Sequence, residues 1–402
     1  MGDILFLGHR VPYPPDRGDK IRGFHILKYL SARKRVHLIA FADDPRDLAG
    51  KAPTEMTGHA SVIWRAKSRL RASIEALLTR KPISLTAFDS SAVRGAVAAL
   101  LAREAIDTIY VFSSQMAQYL PARPRQQVIM DFVDMDSAKF AAYASEGRGP
   151  MAWVMRREAN LLFQYERAIA GRADASLFVS EAEAELFRER SGAERVQVVE
   201  NGIDTEMFAP DAPFEQIDAI DALIVFTGQM DYRPNIEAVS WFAETIFPQI
   251  RVRFPQAQFA IVGRAPSEAV KALARQPGVI VTGEVTDVRG WLAAAAVVVA
   301  PLKLARGIQN KVLEAMAMAR PVVASRAAAE GIDHADTLRV GETAGEITDA
   351  VIALLDDPAA AAHLGRAGRA RVQARYSWNA RLAPLDAILG IGVEAPPHRT
   401  AA

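Results

Sequence analysis

The chain reads as an α/β protein of two parallel-sheet domains, and three observations predict it. Short β-branched runs alternate with segments of helical apolar spacing along nearly the whole length. Several of these runs end in glycine-containing loops that lead directly into helices, as βαβ units do. The 402 residues, half of them hydrophobic (50%), suffice for two cores of ordinary size.

In the first half, Ile4 to Gly8 reads as a buried strand that feeds the loop HRVPYPPDRGDK, after which Ile21, Phe24, Leu27 and Leu30 mark one helix face. A strand, a glycine loop and a helix N-terminus in that order suit a phosphate or sugar. Arg17, Gly18, Asp19 and Lys20 are the candidate acceptor and phosphate loop. Val36 to Phe41 and Ser61 to Trp64 are further strands. Then WRAKSRLRASIEALLTRKPISL places Leu70, Ile74, Leu77 and Leu78 on one face, with Arg65, Lys67, Arg69, Arg71, Arg80 and Lys81 against a single Glu75. A basic amphipathic helix of this kind predicts docking on an anionic membrane surface through residues 65–81. Thr108 to Phe112 and Val128 to Phe132 follow as strands, the second ending in MDFVDMDS, where Asp131, Asp134 and Asp136 gather at a carboxyl end. A helix from Met151 to Ala170, the strand ASLFVS and a helix capped by Ser180 and ended by Gly192 complete this half.

The second half opens with ALIVFTGQM, a buried strand running into Gly228, followed by a helix that Pro234 starts. AQFAIVGRAP supplies another strand and a loop at Gly263 and Arg264, and VIVTGEV a third, ending at Gly283. The most informative stretch is Ala300 to Ser325, APLKLARGIQNKVLEAMAMARPVVAS, which reads strand, loop, helix, strand. Gly307 allows close approach of a ligand, the helix spans Ile308 to Ala319, and its N-terminus favours an anion. Glu314 lies two turns further in, placed to accept hydrogen bonds from a sugar diol.

Composition narrows the function. A net charge of +1 with 24% charged residues implies no general affinity for polyanions, so nucleic acid is not an expected partner. The absence of cysteine excludes disulfides, thiolate metal sites and cysteine nucleophiles. No run of apolar residues reaches spanning length, and MGDILFLGHR lacks the form of a signal peptide, which predicts a cytoplasmic location, compatible with the cytoplasmic face of an inner membrane.

The motif LEAMA, in a chain with this order of elements, resembles the donor half of the retaining GT-B glycosyltransferases that use nucleotide-diphospho-sugars (family 4-like, group 1). RGIQNKVLEAMAMARPVVAS with GHRVPYPPDRGDKIR is similar to a narrower group, the glycosyltransferases of exosortase and PEP-CTERM exopolysaccharide clusters. The resemblance implies a GT-B architecture, two Rossmann-like domains facing across a cleft, with Glu314 on the donor ribose. It places backbone groups at Gly283, Glu284 and Val285 around the base, and the N-terminal loop toward sugar and diphosphate. The family carries a glutamate eight positions before Glu314; here Arg306 stands there. It also carries Arg and Lys after the first donor strand, where this chain reads GQMDYRPN, with Gln229 replacing the Arg and Arg233 nearby. The positive charge is therefore expected to have moved to Arg306 and Lys311, which would balance the leaving diphosphate.

The expected organisation is an acceptor domain over 1–205, a linker over 206–221, a donor domain over 222–375, a helix over 376–392 crossing back to the first domain, and a disordered tail over 393–402. Expected donor contacts are Gly228, Arg233, Gly263, Arg264, Gly283, Val285, Gly307, Ile308, Gln309 and Glu314. Arg306, Lys311 and Asp134 are the expected catalytic groups, with no metal and no cofactor. The triplet Asp134, Met135, Asp136 imitates the DxD metal motif of the other glycosyltransferase architecture, and two Rossmann-like halves argue against that reading. The expected reaction is transfer of a sugar from a nucleotide-diphospho-sugar to a lipid-linked saccharide in exopolysaccharide synthesis. The alternatives are a nucleotide-sugar epimerase on the same fold and a nucleotide-sugar binding protein that has lost catalysis.

Overall fold

The computed structural model describes residues 2–49, 55–218, 220–305 and 307–391. Expectations for Arg306, for Ala219 within the linker and for the tail after 392 fall outside the described residues. The chain divides into two compact units. One runs to Asn201 and resumes from Leu382, and the other is Gly202–Arg381.

The first unit holds seven parallel strands: β1 (Asp3–Gly8), β2 (Val36–Ala42), β3 (His59–Trp64), β4 (Ile106–Phe112), β5 (Gln127–Val133), β6 (Ala175–Phe178) and β7 (Val196–Val198). Their order is β3-β2-β1-β4-β5-β6-β7. Every residue of β2 is buried, because helices cover both faces of a parallel sheet and leave no place for alternation. The helix Gly18–Ser31 packs Ile26, Leu27 and Leu30 inward, and it carries two cations, Lys20 and Arg22, into the interior. Arg22, 1% exposed, donates from Nη2 to Asp131 Oδ2 at 2.9 Å and from Nη1 to the Val199 carbonyl at 2.8 Å. Tyr110 donates to the same Asp131 oxygen at 2.8 Å. Asp131 thus locks a helix to the sheet instead of facing a ligand, which its place at a strand end suggested.

The second unit holds six parallel strands: β8 (Leu223–Thr227), β9 (Gln258–Val262), β10 (Val279–Gly283), β11 (Val297–Ala300), β12 (Val322–Ser325) and β13 (Arg339–Gly341), in the order β10-β9-β8-β11-β12-β13. The single helix expected after Pro234 is in fact three pieces: Arg233–Trp241, a π-helical turn Phe242–Ile246, and Phe247–Arg253. Pro248 explains the change of register, since it has no N–H to donate back into the preceding turn. The helix Pro358–Arg375 ends at Tyr376, and the short helices Trp378–Leu382 and Pro384–Ile388 follow. From Leu382 the chain is held in the first unit: Arg33 pairs with Asp386 at 2.7 Å, and Gln127 donates to the Ile388 carbonyl.

In both sheets the strand order reverses beside the first strand, at β1/β4 and at β8/β11. Parallel sheets bind ligands outside the carboxyl ends of strands at such a reversal.

Candidate active site

At the reversal in the second unit, Gly228 follows the end of β8 at Thr227, and Gly263 follows the end of β9 at Val262. A methyl group on Gly263 would sit 1.7 Å from the Gly228 carbonyl oxygen, and one on Gly228 would sit 2.8 Å from Asn235 Nδ2. Neither position accepts a side chain, so backbone lines this part of the site. The helix Asn310–Ala317 brings Lys311 over the same point. Its ammonium donates to Asn235 Oδ1 at 2.6 Å and lies 4.3 Å from the ring centre of Phe226. Asn235 in turn donates to the Gln229 carbonyl, which fixes its orientation. One turn on, Glu314 has no hydrogen-bond partner among the described residues. Burial pushes its carboxyl above the usual range, and Lys311 pulls against that rise. Burial also lowers Lys311 to about 8. Two desolvated, opposite charges on successive turns of one helix mark a site built for a polar ligand.

These groups line a concavity of about 560 Å³ together with Arg264, Glu284 and Val285. Of the residues expected from the sequence, Gly228, Gly263, Arg264, Val285, Lys311 and Glu314 therefore come together here. Gly283 closes β10 in the left-handed region (φ +69) without lining the concavity. Gly307 is also left-handed (φ +65), Ile308 packs on the core, and Gln309 precedes the helix and donates to the Gly307 carbonyl. Arg233 is a correction: its side chain is 88% exposed and is paired with Glu237 one turn along its own helix. The fold adds Thr227, Thr286, Asp287 and Arg289, which no motif indicated. Thr227 Oγ1 is buried without a hydrogen-bond partner among the described residues.

A larger concavity of about 1040 Å³ lies over β11 and β12, lined by Trp241, Lys303, Arg326 and Glu342. Arg326 and Glu342 already neutralise one another there. The smaller concavity has the glycine-exposed backbone and the unsatisfied carboxylate, so it is the better candidate.

In the first unit the loop after β1 is occupied by its own contacts. Lys20 is 3% exposed, with its ammonium 2.7 Å from the equally buried Asp47, which corrects its assignment to a phosphate loop. Burial alone would raise Asp19, but hydrogen bonds and charge from His9 and Arg10 hold it well below the usual carboxylate range. Gly18 meets nothing within 4 Å where a side chain would start, so no close approach requires it. Arg17 is half-exposed and stands 3.8 Å from Asp19. Asp134 is bound to Lys139 at 2.7 Å at the surface; its neighbour Asp136 is the more enclosed carboxylate, raised by burial and facing Gln115.

The basic segment forms the helix Arg69–Thr79, capped by Ser68. Ala72 and Ala76 are the buried side, and Leu70, Leu77 and Leu78 face outward, the last 81% exposed. Two expected surface cations are tied inside: Arg65 binds Asp43 and Lys67 binds Glu75. No helix among the described residues is long and apolar enough to cross a membrane.

Comparison with known proteins defines the class. Residues 23–207 match the family described as Glycosyltransferase Family 4, and residues 221–357 match Glycosyl transferases group 1. The chain has the two-domain GT-B fold of these glycosyltransferases. Among solved structures, sucrose-phosphate synthase from Thermosynechococcus elongatus is similar over 97% of this chain and 98% of its own, with a TM-score of 0.57 at 19% identity. Anabaena HepE, in complex with UDP and glucose, is similar over 97% of this chain and 100% of its own, with a TM-score of 0.56 at 14% identity. A GDP-mannose-dependent monoacylated alpha-(1-6)-phosphatidylinositol monomannoside mannosyltransferase of Corynebacterium glutamicum is 30% identical over 242 residues, 53% of this chain and 61% of the relative. The chain thus spans about three fifths of the length of the curated relatives it matches.

Proposed function

We propose that this protein is a glycosyltransferase that moves a sugar from a nucleotide-diphospho-sugar to the hydroxyl of a lipid-linked saccharide. The observation that carries the reading is the site at the β8/β11 reversal, where Lys311 and Glu314 face backbone exposed by Gly228 and Gly263. On this reading Glu314 accepts hydrogen bonds from the donor ribose, and the backbone near Gly283 to Val285 meets the base. Lys311 and Arg264, with Arg306, balance the charge that develops on the diphosphate as the glycosidic bond breaks. The diphosphate is stabilised by fixed cations and needs no metal; retention at the anomeric carbon follows from the family resemblance. On the acceptor side Asp134 and Asp136 share Lys139, at 2.7 and 3.4 Å, and of the two Asp136 is the carboxylate that burial raises, which suits it to orient a hydroxyl.

The lipid-linked acceptor is supported by the phosphatidylinositol mannoside named for the relatives. The outward leucine face of the basic helix supports docking on the cytoplasmic face of an inner membrane. Association with exosortase and PEP-CTERM exopolysaccharide synthesis rests on the two motifs quoted above. An epimerase on this fold would convert the donor to its epimer without an acceptor and with no net release of nucleotide, and an inactive binding protein would leave the donor unchanged.

Calorimetric titration with GDP, UDP and ADP identifies the base, and nucleotide release is then followed with matching sugar donors, with and without a lipid-linked saccharide. Release that depends on the acceptor, with a new glycoside in the product, is the expected result. Acceptor-independent conversion of the donor, or binding without turnover, would replace this reading by one of the two alternatives.

A further inference from the structure

The apolar face of the basic helix does not stand alone. The long helix Gly149–Ala170 runs beside it and presents Trp153 and Met151, 56% and 63% exposed. Between the two helices lies a groove of about 530 Å³. Its lining combines Leu77, Trp153 and Leu161 with three arginines, Arg80, Arg156 and Arg157, and contains no acidic residue. Arg157 donates from Nη2 to the Ala76 and Lys81 carbonyls, two of the uses its five N–H groups allow. Arg80 and Arg156 make no ion pair among the described residues. Arg80 closes its helix in the left-handed region (φ 55), a conformation that a residue other than glycine adopts at some cost. Carboxylates on the same two helices are committed: Glu75 binds Lys67, and the buried Glu158 accepts from the Ile83 and Ser84 N–H groups.

We propose that this groove seats the phosphate-bearing headgroup of a single anionic phospholipid, with the arginines on the phosphate and Trp153 and Leu77 beside the first carbons of its chains. The inference rests on the membrane-docking reading above and deepens it from a diffuse charge attraction to a defined lipid site. The chemistry follows from the lining. Guanidinium groups match a phosphate through paired N–H donors, whereas an apolar wall excludes a fully hydrated ion. Tryptophan is suited to this position because its ring is apolar and its N–H is wet at the headgroup level. A cation-lined groove without acids also disfavours a choline headgroup, whose positive charge would sit among the arginines.

The test uses the full chain and dihexanoylphosphatidylglycerol below the concentration at which it forms micelles, so that no bilayer is present. Calorimetry should show saturable binding, and the tryptophan fluorescence change should disappear in Trp153→Phe. The double variant Arg80→Ala/Arg156→Ala should weaken binding by about tenfold or more, the scale of losing a charge-assisted contact. Arg71→Ala, outside the groove, should not change it, and unchanged thermal melting confirms that each variant folds. Binding that is absent, that survives the double variant, or that inorganic phosphate displaces at equal concentration would overturn the proposal. Vesicles of phosphatidylcholine with and without phosphatidylglycerol separate the two ideas. Wild type that pellets with anionic vesicles yet ignores the monomeric lipid keeps membrane docking and sinks the groove. Wild type that pellets with neither sinks docking, while the monomer titration still decides the groove.

Discussion

At the scale of single residues, the donor site turns on two ionisable groups that burial pushes toward their neutral forms. Glu314 has no hydrogen-bond partner among the described residues, so a ribose diol would satisfy it. Glu314→Gln is expected to weaken binding of the preferred nucleotide diphosphate by about 1–3 kcal/mol, measured by calorimetry. Unchanged affinity with a lowered melting temperature would make Glu314 a packing residue. Lys311 gives a pH signature. With its folded pKa lowered to about 8 from 10.5, it loses its proton in the free protein as pH rises through 8. The unfolded chain keeps that proton up to 10.5, so across this window the unfolded state binds more protons and stability rises with pH. Diphosphate binding has the opposite slope, because the ligand needs the ammonium: affinity should be full below pH 8 and fall by up to about tenfold per unit above it. Lys311→Met should start weaker and show a flat profile; a wild-type affinity independent of pH from 7 to 9.5 would remove Lys311 from the phosphates. Arg306 is tested by rate. Arg306→Ala should slow transfer by roughly a hundredfold, the scale for one preorganised charge stabiliser. Activity retained in Arg306→Glu would return that position to the sugar-facing role of the family's glutamate.

At the scale of elements, the basic helix separates two jobs that its sequence mixes. Alanines at 72 and 76 pack it against the unit, whereas Leu70 and Leu78 are 73% and 81% exposed and contribute little to the fold. Leu70→Ser/Leu78→Ser should therefore change stability by less than about 1 kcal/mol. It should nonetheless abolish co-sedimentation with anionic vesicles, since each leucine that enters the interface is worth about 1.5–3 kcal/mol. Retained pelleting would show that charge alone holds the protein there. The alternation of leucine and basic residues was legible as an amphipathic helix, but which face points inward was not. A helix of this kind packs equally well by its leucines in the absence of other information, and only the neighbouring helices decide. The same limit applies to GQMDYRPN. Arg233 was the one nearby cation in the sequence, yet the helix it starts turns it out to Glu237.

For the whole molecule, the two units have separate cores: Leu5, Phe41, Val111 and Phe178 belong to one, and Phe226, Phe259, Val298 and Met316 to the other. A defect in one interior should then leave the other's ligand chemistry intact. Arg22→Ala removes the cationic partner of the fully buried Asp131, leaving it the Tyr110 hydroxyl and the Val133 N–H, and should destabilise the first unit by about 3–5 kcal/mol, the cost of a buried charge without its counter-ion. Differential scanning calorimetry should show an earlier transition for that unit, with nucleotide-diphosphate affinity unchanged in the second. Loss of that affinity in a still folded protein would mean that the units are coupled in binding. Arg22→Ala/Asp131→Asn should recover part of the loss, because it removes both charges.

By itself the sequence determined the α/β class, the positions of most strands though not of the edge strand β13, and the stretch around Lys311 and Glu314 that carries the site. Those features depend on local apolar periodicity, on glycines where backbone must stay bare, and on caps such as Ser180, whose side chain does accept from the Glu183 N–H. It also placed Lys311 and Glu314 on one helix, one turn apart, because that spacing is intrinsic to helical geometry. Only the tertiary structure decided which charges are free. Lys20, Arg22, Asp131 and Asp134 all look like ligand-facing groups in a linear reading, and each is paired with a residue 5 to 109 positions away. The closing of Gly263 onto the Gly228 carbonyl, and the meeting of Asn235 with Lys311 across 76 positions, are likewise products of strand order. A charge in a chain advertises chemistry, but its availability depends on partners that long-range packing brings within hydrogen-bond distance, and no local pattern contains that information.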